Sequence, residues 1–409
     1  MKGDIDRWQE SLVVEALGVR RAVFLTGARQ AGKTTLVENL PLQGVDRRTL
    51  DDDLALASAQ SDPIGFVTRK TDGTLAIDEI QKACDLLPAI KRIVDCDRRP
   101  GQFLLTGSSN LRFAKNVRDS LAGRMKTIRI RTLAEAELNG RPPAFLRSAM
   151  RGEFERPRVH AGKAEIVASA FRGGYPEPLR FSPRERRDWY RDYVNDLLLK
   201  DIRYITEIRN LGALRQLASL LAAWTGKFFS DSEIATMSGI SRPTLQGYVG
   251  ALEALYLFEQ VPPWTKTDYA KAGKRVKWYA CDPGLAPNLL GWSEAEARDD
   301  PDRSGKLIET WVHHELSVRA DLEGLNVWQY RDADKREIDF LVEDGEGNLL
   351  GVEVKAGSTV RPDDFKHLRW FKEKLAPQGF VGIVLHTGDE IVSFGEGMTA
   401  VPMASFFEQ

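Results

Sequence analysis

The feature that most constrains this chain lies at residues 27–34. Gly27-Ala28-Arg29-Gln30-Ala31-Gly32-Lys33-Thr34 fits the spacing G-x-x-x-x-G-K-[ST]. A short apolar run, AVFLT (22–26), precedes it, and a helix is expected from Lys33. That order of strand, glycine-rich turn and helix is the context the motif requires. Glycines let backbone N–H groups wrap a phosphate, and the start of the helix adds positive potential. Residues Gly27 to Gly32, with Lys33, Thr34 and Thr35, are the expected phosphate contacts. Lys33 should reach the β- and γ-phosphates of ATP, and Thr34 should ligate Mg²⁺. The bland alternative is a chance glycine-rich turn.

Two further strand-like runs follow at 74–77 (TLAI) and 102–106 (QFLLT), with helical stretches between them. This alternation is the mark of a parallel sheet with crossover helices. The first run ends in Asp78-Glu79. Asp78 is expected to hold the Mg²⁺ shell, and Glu79 to polarise the attacking water as a carboxylate base. The alternative is a polar strand end facing solvent. The second run ends in Thr106-Gly107-Ser108-Ser109-Asn110, where Thr106 or Ser108 can sense a γ-phosphate or merely cap a turn.

The 409 residues are 42% hydrophobic and 29% charged. This excludes a disordered, collagen-like or disulfide-stapled chain and suggests two to four domains. Cys84, Cys96 and Cys281 form no CxxC pair, and five histidines show no zinc spacing. No apolar run is long enough to span a membrane, and the N-terminus lacks the apolar core of a signal peptide. A cytoplasmic protein is expected. The net charge of −1 divides into +3 over residues 1–140, +6 over 141–215 and −10 over 216–409. The acidic C-terminal half can meet nucleic acid only through a local patch.

GARQAGKTT, LAIDEIQ, LLTGSSN and SLAGRM, in this order, resemble the AAA-type P-loop ATPases of bacteria and archaea. Specifically, the chain resembles members that carry a C-terminal domain of unknown function and are usually described only as ATP-binding proteins. YVNDLLLKDI, CDPGLAPNLLG, REIDFLV and VEVK extend the resemblance over nearly the whole chain. It implies an oligomer with sites at subunit interfaces. It also implies that Arg124 can reach a neighbour's γ-phosphate, neutralising charge on the transferred group. The alternative for Arg124 is an ordinary ion-pairing arginine.

EIDFLV (337–342) and LGVEV (350–354) flank Asp344-Gly345-Glu346-Gly347-Asn348, a hairpin signal. With the turn centred on Glu346, Asp339 faces Glu353 and Glu337 faces Lys355. Ile338, Phe340 and Val342 then share the other, dry face with Val354, Val352 and Leu350. Opposed carboxylates repel unless a cation lies between them, and a divalent metal would serve. Asp339, Glu353, Lys355 and the upstream Glu309 resemble the PD-(D/E)xK nuclease core. There two carboxylates bind Mg²⁺ and the lysine helps position water. Ile338 stands where the usual proline would. The alternative is a solvated hairpin with a Glu337–Lys355 pair.

Between these regions, residues 228–262 read as a helix, a turn at Ser238-Gly239-Ile240, and a second helix capped by Ser241 with Pro243 in its first turn. A strand is expected from Leu257 to Val261. This is helix-turn-helix spacing with a possible wing. Arg242, Thr244, Gln246 and Tyr248 are expected to face outward, with Val249, Leu252 and Leu255 inward. Trp264, Lys266, Lys271, Lys274, Arg275 and Lys277 add a basic stretch that favours DNA. A helical module that merely packs between domains is the alternative.

The expected architecture is α/β. It comprises a P-loop ATPase domain at 1–150, a helical lid or linker at 151–225, a winged-helix-like module at 226–290 and a restriction-endonuclease-like domain at 300–409. The expected function is Mg²⁺-dependent ATP hydrolysis acting on DNA. A switch or scaffold that uses ATP to control a protein partner is the alternative.

Overall fold

The computed structural model describes residues 5–68, 73–108, 121, 123–204, 210–266, 275–376 and 378–409. Ser109, Asn110, Lys271 and Lys274 lie outside these residues. The N-terminal sheet has five parallel strands: β1 (Ala22–Thr26), β2 (Asp46–Thr49), β3 (Leu75–Asp78), β4 (Phe103–Gly107) and β5 (Met125–Arg129). Their spatial order is β2-β3-β4-β1-β5. All five residues of the interior strand β1 are buried, as are those of the central β4. Such strands read as unbroken apolar runs because helices cover both faces of the sheet. The edge strand β2, DRRT, is half exposed and charged, so it carries no apolar signal. One face of the sheet holds Phe24, Ile77, Phe103 and Leu105 with Ile90 and Val94; the other holds Val23, Leu25 and Leu104 with Val13 and Leu36.

A middle region joins the helices Pro183–Leu199 and Leu211–Ala223 to a three-stranded antiparallel sheet. That sheet contains β6 (Lys227–Phe229), β7 (Phe258–Val261) and β8 (Val276–Ala280), in the order β6-β8-β7. Between β6 and β7 lie the helices Asp231–Ser238 and Arg242–Ala254. Gly239 ends the first in the left-handed region at φ 67°, and Ser241 precedes the second with Pro243 in its first turn. Arg242, Thr244 and Gln246 face outward as expected. Tyr248 does not: it is buried with Leu245 and Leu252 in the middle core. Three residues separate it from Leu245 and four from Leu252, which is the inward stripe of a helix.

The C-terminal sheet holds β9 (Asn326–Arg331), β10 (Glu337–Glu343), β11 (Leu349–Val354), β12 (Phe380–His386), β13 (Val392–Ser393) and β14 (Met398–Pro402). Its order is β13-β14-β12-β11-β10-β9, antiparallel from β9 to β11 and parallel from β11 through β12 to β14. The β10–β11 register matches the expected one, with Phe340 opposite Val352 and Val342 opposite Leu350.

The expected single dry face is corrected. Phe340, Val342, Leu350 and Val352 pack with the helix Pro301–Glu323 through Leu307, Ile308 and Trp311. Ile338 instead joins Leu341 and Leu349 under Phe365, Leu368 and Phe371. An irregularity in the β9–β10 pairing between Ile338 and Leu341 re-aims Ile338. The sheet is therefore apolar on both faces.

The hydrophobic cores cross the expected domain boundaries. The helices Phe145–Met150 and Lys163–Arg172 share a core with Phe340 of the C-terminal sheet and Phe406 just beyond its last strand. Residues from Tyr175 to Ala286 form one middle core. Between the expected modules ending at 290 and starting at 300 lies the helix Glu294–Asp299, and the long helix starts at Pro301 behind an Asp300 cap. Among the described residues, no helix is long and apolar enough to cross a membrane.

Candidate nucleotide site and the C-terminal carboxylate cluster

Parallel pairing aligns the C-terminal ends of β1, β3 and β4. Leu25 lies opposite Thr106 and Ile77 opposite Leu105, so Thr26, Asp78 and Thr106 reach one edge of the sheet. Ligands of open α/β sheets bind at this edge. The loop after β1 turns at Gly27, whose φ is 148°; a Cβ there would lie 2.1 Å from the Ile130 carbonyl oxygen. Only glycine fits that approach. Gln30 and Gly32 also take positive φ. The Lys33 ammonium, buried beneath the loop, donates to the carbonyls of Gly27 (2.9 Å) and Ala28 (2.7 Å). Burial pulls it down to about 8, against the pull of the Glu79 and Asp78 carboxylates.

Thr34 and Asp78, expected as the Mg²⁺ pair, meet directly. The Thr34 hydroxyl donates to Asp78 Oδ2 at 3.0 Å, and Thr34 is solvent-exposed. A hydroxyl beside a carboxylate is a hard-oxygen donor set that suits Mg²⁺. Thr35 is exposed on the same first turn. Thr106 donates to the other Asp78 oxygen, Oδ1, and its hydroxyl also receives the Glu79 N–H at 3.3 Å. Here Thr106 orients the Asp78 carboxylate and the Glu79 backbone. Glu79 takes a left-handed φ of 57°, a strained conformation for a non-glycine residue. Gln81 and Ser108 both donate to its carboxylate, and Gln81 donates to Ser108 at 3.0 Å. Burial raises the Glu79 carboxyl above its ordinary range, opposed by Lys33.

Several residues that brace this loop carry no local sequence signal. Arg7 donates to the Ala31 carbonyl at 2.7 Å while pairing with Glu137 at 2.8 Å. The Tyr193 hydroxyl donates to the Arg29 carbonyl at 3.0 Å, and the Arg29 side chain pairs with Asp201 at 3.0 Å. Tyr256 and Thr26 share a hydroxyl hydrogen bond of 2.5 Å across 230 positions of sequence. Such distant partners leave no periodicity to read. Gln81 was partly legible, because it lies inside LAIDEIQ.

Arg124 stands apart from this edge. It precedes Met125, which pairs with Ala22 at the far end of β1, and it forms an ion pair with Asp95. It therefore lies at the opposite end of the sheet from its own loop.

Away from this edge, Glu309, Glu337 and Asp339 meet on a lysine. The Lys277 ammonium, from β8 of the middle sheet, sits 2.7 Å from Glu309, 2.9 Å from Glu337 and 3.0 Å from Asp339. Its side chain is 3% exposed. Burial alone would lower this ammonium, but Glu309, Asp339 and Glu337 outweigh it and hold it well above its usual value. The expectation that Lys277 belongs to a DNA-facing basic stretch is thus corrected. Three carboxylates draw it into the interior, where no phosphate can reach it. Asp339 also accepts the Val354 N–H at 3.0 Å, and Glu309 accepts the Tyr279 hydroxyl at 2.5 Å. Glu353 is pushed well above the carboxylate range by burial and by Asp339. Lys355 pairs with Asp364 at 3.1 Å and not with Glu337. Among the described residues, no group of three or more His, Cys, Asp or Glu side chains is arranged to hold a metal. The donor set expected for a nuclease metal therefore does not fit one here, because an ammonium already lies among its carboxylates.

Known proteins resemble this chain domain by domain. Residues 19–139 match a family model described as an AAA domain. Residues 164–296 and 304–406 match two domains of unknown function, DUF8612 and DUF4143. Uncharacterized proteins of Mycobacterium bovis and Mycobacterium tuberculosis are each 28% identical over 346 residues, which is 82% of this chain and 70% of theirs. Among solved structures, a Walker-type ATPase of Pyrococcus abyssi is 15% identical at a TM-score of 0.42, covering 70% of this chain and 96% of that one. The AAA match, together with the parallel sheet and its glycine-rich loop, supports an AAA-type P-loop ATPase domain in the N-terminal third.

Proposed function

We propose that this protein is a Mg²⁺-dependent ATP hydrolase acting on DNA. The observation that carries the hydrolase reading is the direct approach of Thr34 to Asp78 at 3.0 Å, with Glu79 beside them. Lys33 would hold the phosphates, with Gly27 to Gly32 and Thr35 around them. Thr34 and Asp78 would hold Mg²⁺, whose chemistry is to neutralise phosphate charge. Glu79, oriented by Gln81 and Ser108, would polarise water. Arg124 would serve a neighbouring subunit's nucleotide, since its own loop is out of reach. Lys33→Ala should lower turnover by about 10²–10³-fold. A variant with wild-type turnover would refute the assignment.

The DNA reading rests on the middle region. Helix, strand, two helices and two strands follow one another there in winged-helix order, with Arg242, Thr244 and Gln246 exposed on the second helix of the pair. The C-terminal order of helix, three strands, helix and strand is similar to that of PD-(D/E)xK nucleases. Steady-state ATP turnover should rise with one of single-stranded, duplex or branched DNA, and Arg242→Ala with Gln246→Ala should blunt that rise. Turnover indifferent to all three would favour an ATP-controlled switch for a protein partner. One observation already favours that second reading: Tyr193 and Tyr256 of the middle region are hydrogen-bonded to the nucleotide loop and its strand.

A further inference from the structure

We propose that Lys277 is the resident cation of the C-terminal carboxylate cluster, locking the middle sheet onto the C-terminal domain and keeping divalent metal out. Three acidic side chains from two elements, Glu309 on the long helix and Glu337 and Asp339 on β10, need a compensating charge to lie together in a half-buried site. Lys277 supplies it with three contacts of 3.0 Å or less. An ammonium has three N–H donors, and each meets a different carboxylate. The groups facing the ammonium from the packed elements are these three carboxylates and the Tyr279 hydroxyl, with the Phe228 ring 5.4 Å away. Glu353, held well above the carboxylate range by burial and by Asp339, adds little further charge.

The lysine is held in place by its own strand. Lys277 is paired with Val261 on one side and Phe228 on the other, which fixes its backbone, and its side chain is packed inside the cluster. On the Val261 side lies β7, whose Glu259 is bound to Arg129, the last residue of β5, and to Arg131 just beyond it. The cluster is therefore closed by a residue whose strand is tied to the ATPase domain. Withdrawal of the middle sheet would carry the ammonium away and free the carboxylates for a divalent ion. This makes the contact an internal block on any metal chemistry of the C-terminal domain.

Titration calorimetry of the full-length protein with MnCl₂, without nucleotide, tests this. The wild-type chain should show no Mn²⁺ binding that Asp339→Asn removes. Lys277→Met, which keeps most of the length and loses the charge, should gain one Mn²⁺ site that Lys277→Met with Asp339→Asn loses. Wild-type binding that depends on Asp339, or a folded Lys277→Met chain without a new site, overturns the proposal. Should Lys277→Met not fold, acylation of the wild-type protein with an N-hydroxysuccinimide ester decides. Lys277 should then react at least tenfold more slowly than the exposed Lys227, and equal rates overturn the proposal.

Discussion

Removing Glu259 should unfasten the ATPase sheet from the middle sheet. Its carboxylate lies 2.6 Å from Arg129 and 2.5 Å from Arg131, with its own side chain 16% exposed. Burial would push this carboxyl up, but the two guanidinium groups win and hold it well below the usual range. Glu259→Ala leaves both cations in place. Arg131 keeps Asp321 at 2.6 Å, whereas Arg129 keeps the Cys281 sulfur at 3.6 Å and the face of the Tyr256 ring at 5.0 Å. Breaking a buried pair by deleting one partner costs about 3–5 kcal/mol. The surviving Asp321 contact puts the expected loss near the lower end, about 3 kcal/mol. Glu259→Gln retains one acceptor and should lose about 2 kcal/mol, the worth of a charge-assisted hydrogen bond. Urea unfolding followed by circular dichroism and tryptophan fluorescence measures both losses. A loss under about 1 kcal/mol for Glu259→Ala would mean an exposed, weak pair and would refute the reasoning.

Further outcomes are expected. Burial lowers His313 to about 3 from an ordinary 6.5, so the unfolded chain takes up its proton first as pH falls. Its stability contribution is full above 6.5 and lost below it by about 1.4 kcal/mol per pH unit, and His313→Gln should flatten unfolding-versus-pH profiles by that slope. Gly27→Ala sets a Cβ against the Ile130 carbonyl and adds about 1–3 kcal/mol of strain; a fluorescent ATP analogue should bind it at least about tenfold more weakly. Glu79→Gln should keep ATP binding and lower kcat by about 10²–10⁴-fold; unchanged kcat would remove Glu79 as the base.

The nucleotide loop, the two strands that carry Asp78 and Thr106, and the β10–β11 register were all legible in the sequence. Each is local: a glycine spacing, an apolar run with a polar end, or a period-two alternation about one turn. The exposed face of Arg242, Thr244 and Gln246 was legible for the same reason, since helical periodicity sorts inward from outward. Tyr248 was misread because an aromatic ring with a hydroxyl suits either side, and packing decides which.

What the tertiary structure alone decided is how distant segments meet. No spacing rule tells that Tyr256 touches Thr26, that Arg7 holds the Ala31 carbonyl, or that Lys355 prefers Asp364 to Glu337. Lys277 is the clearest case. Along the chain it is one basic residue in a basic stretch, and basic stretches ordinarily face solvent or phosphate. Only folding brings it to Glu309, Glu337 and Asp339, between 32 and 62 positions away. The chain order supplies the charges, but Coulomb attraction acts across space and strengthens when water is excluded. The carboxylates were therefore recognisable from sequence as a group in need of a cation, whereas the identity of that cation was settled by the docking of one sheet against another.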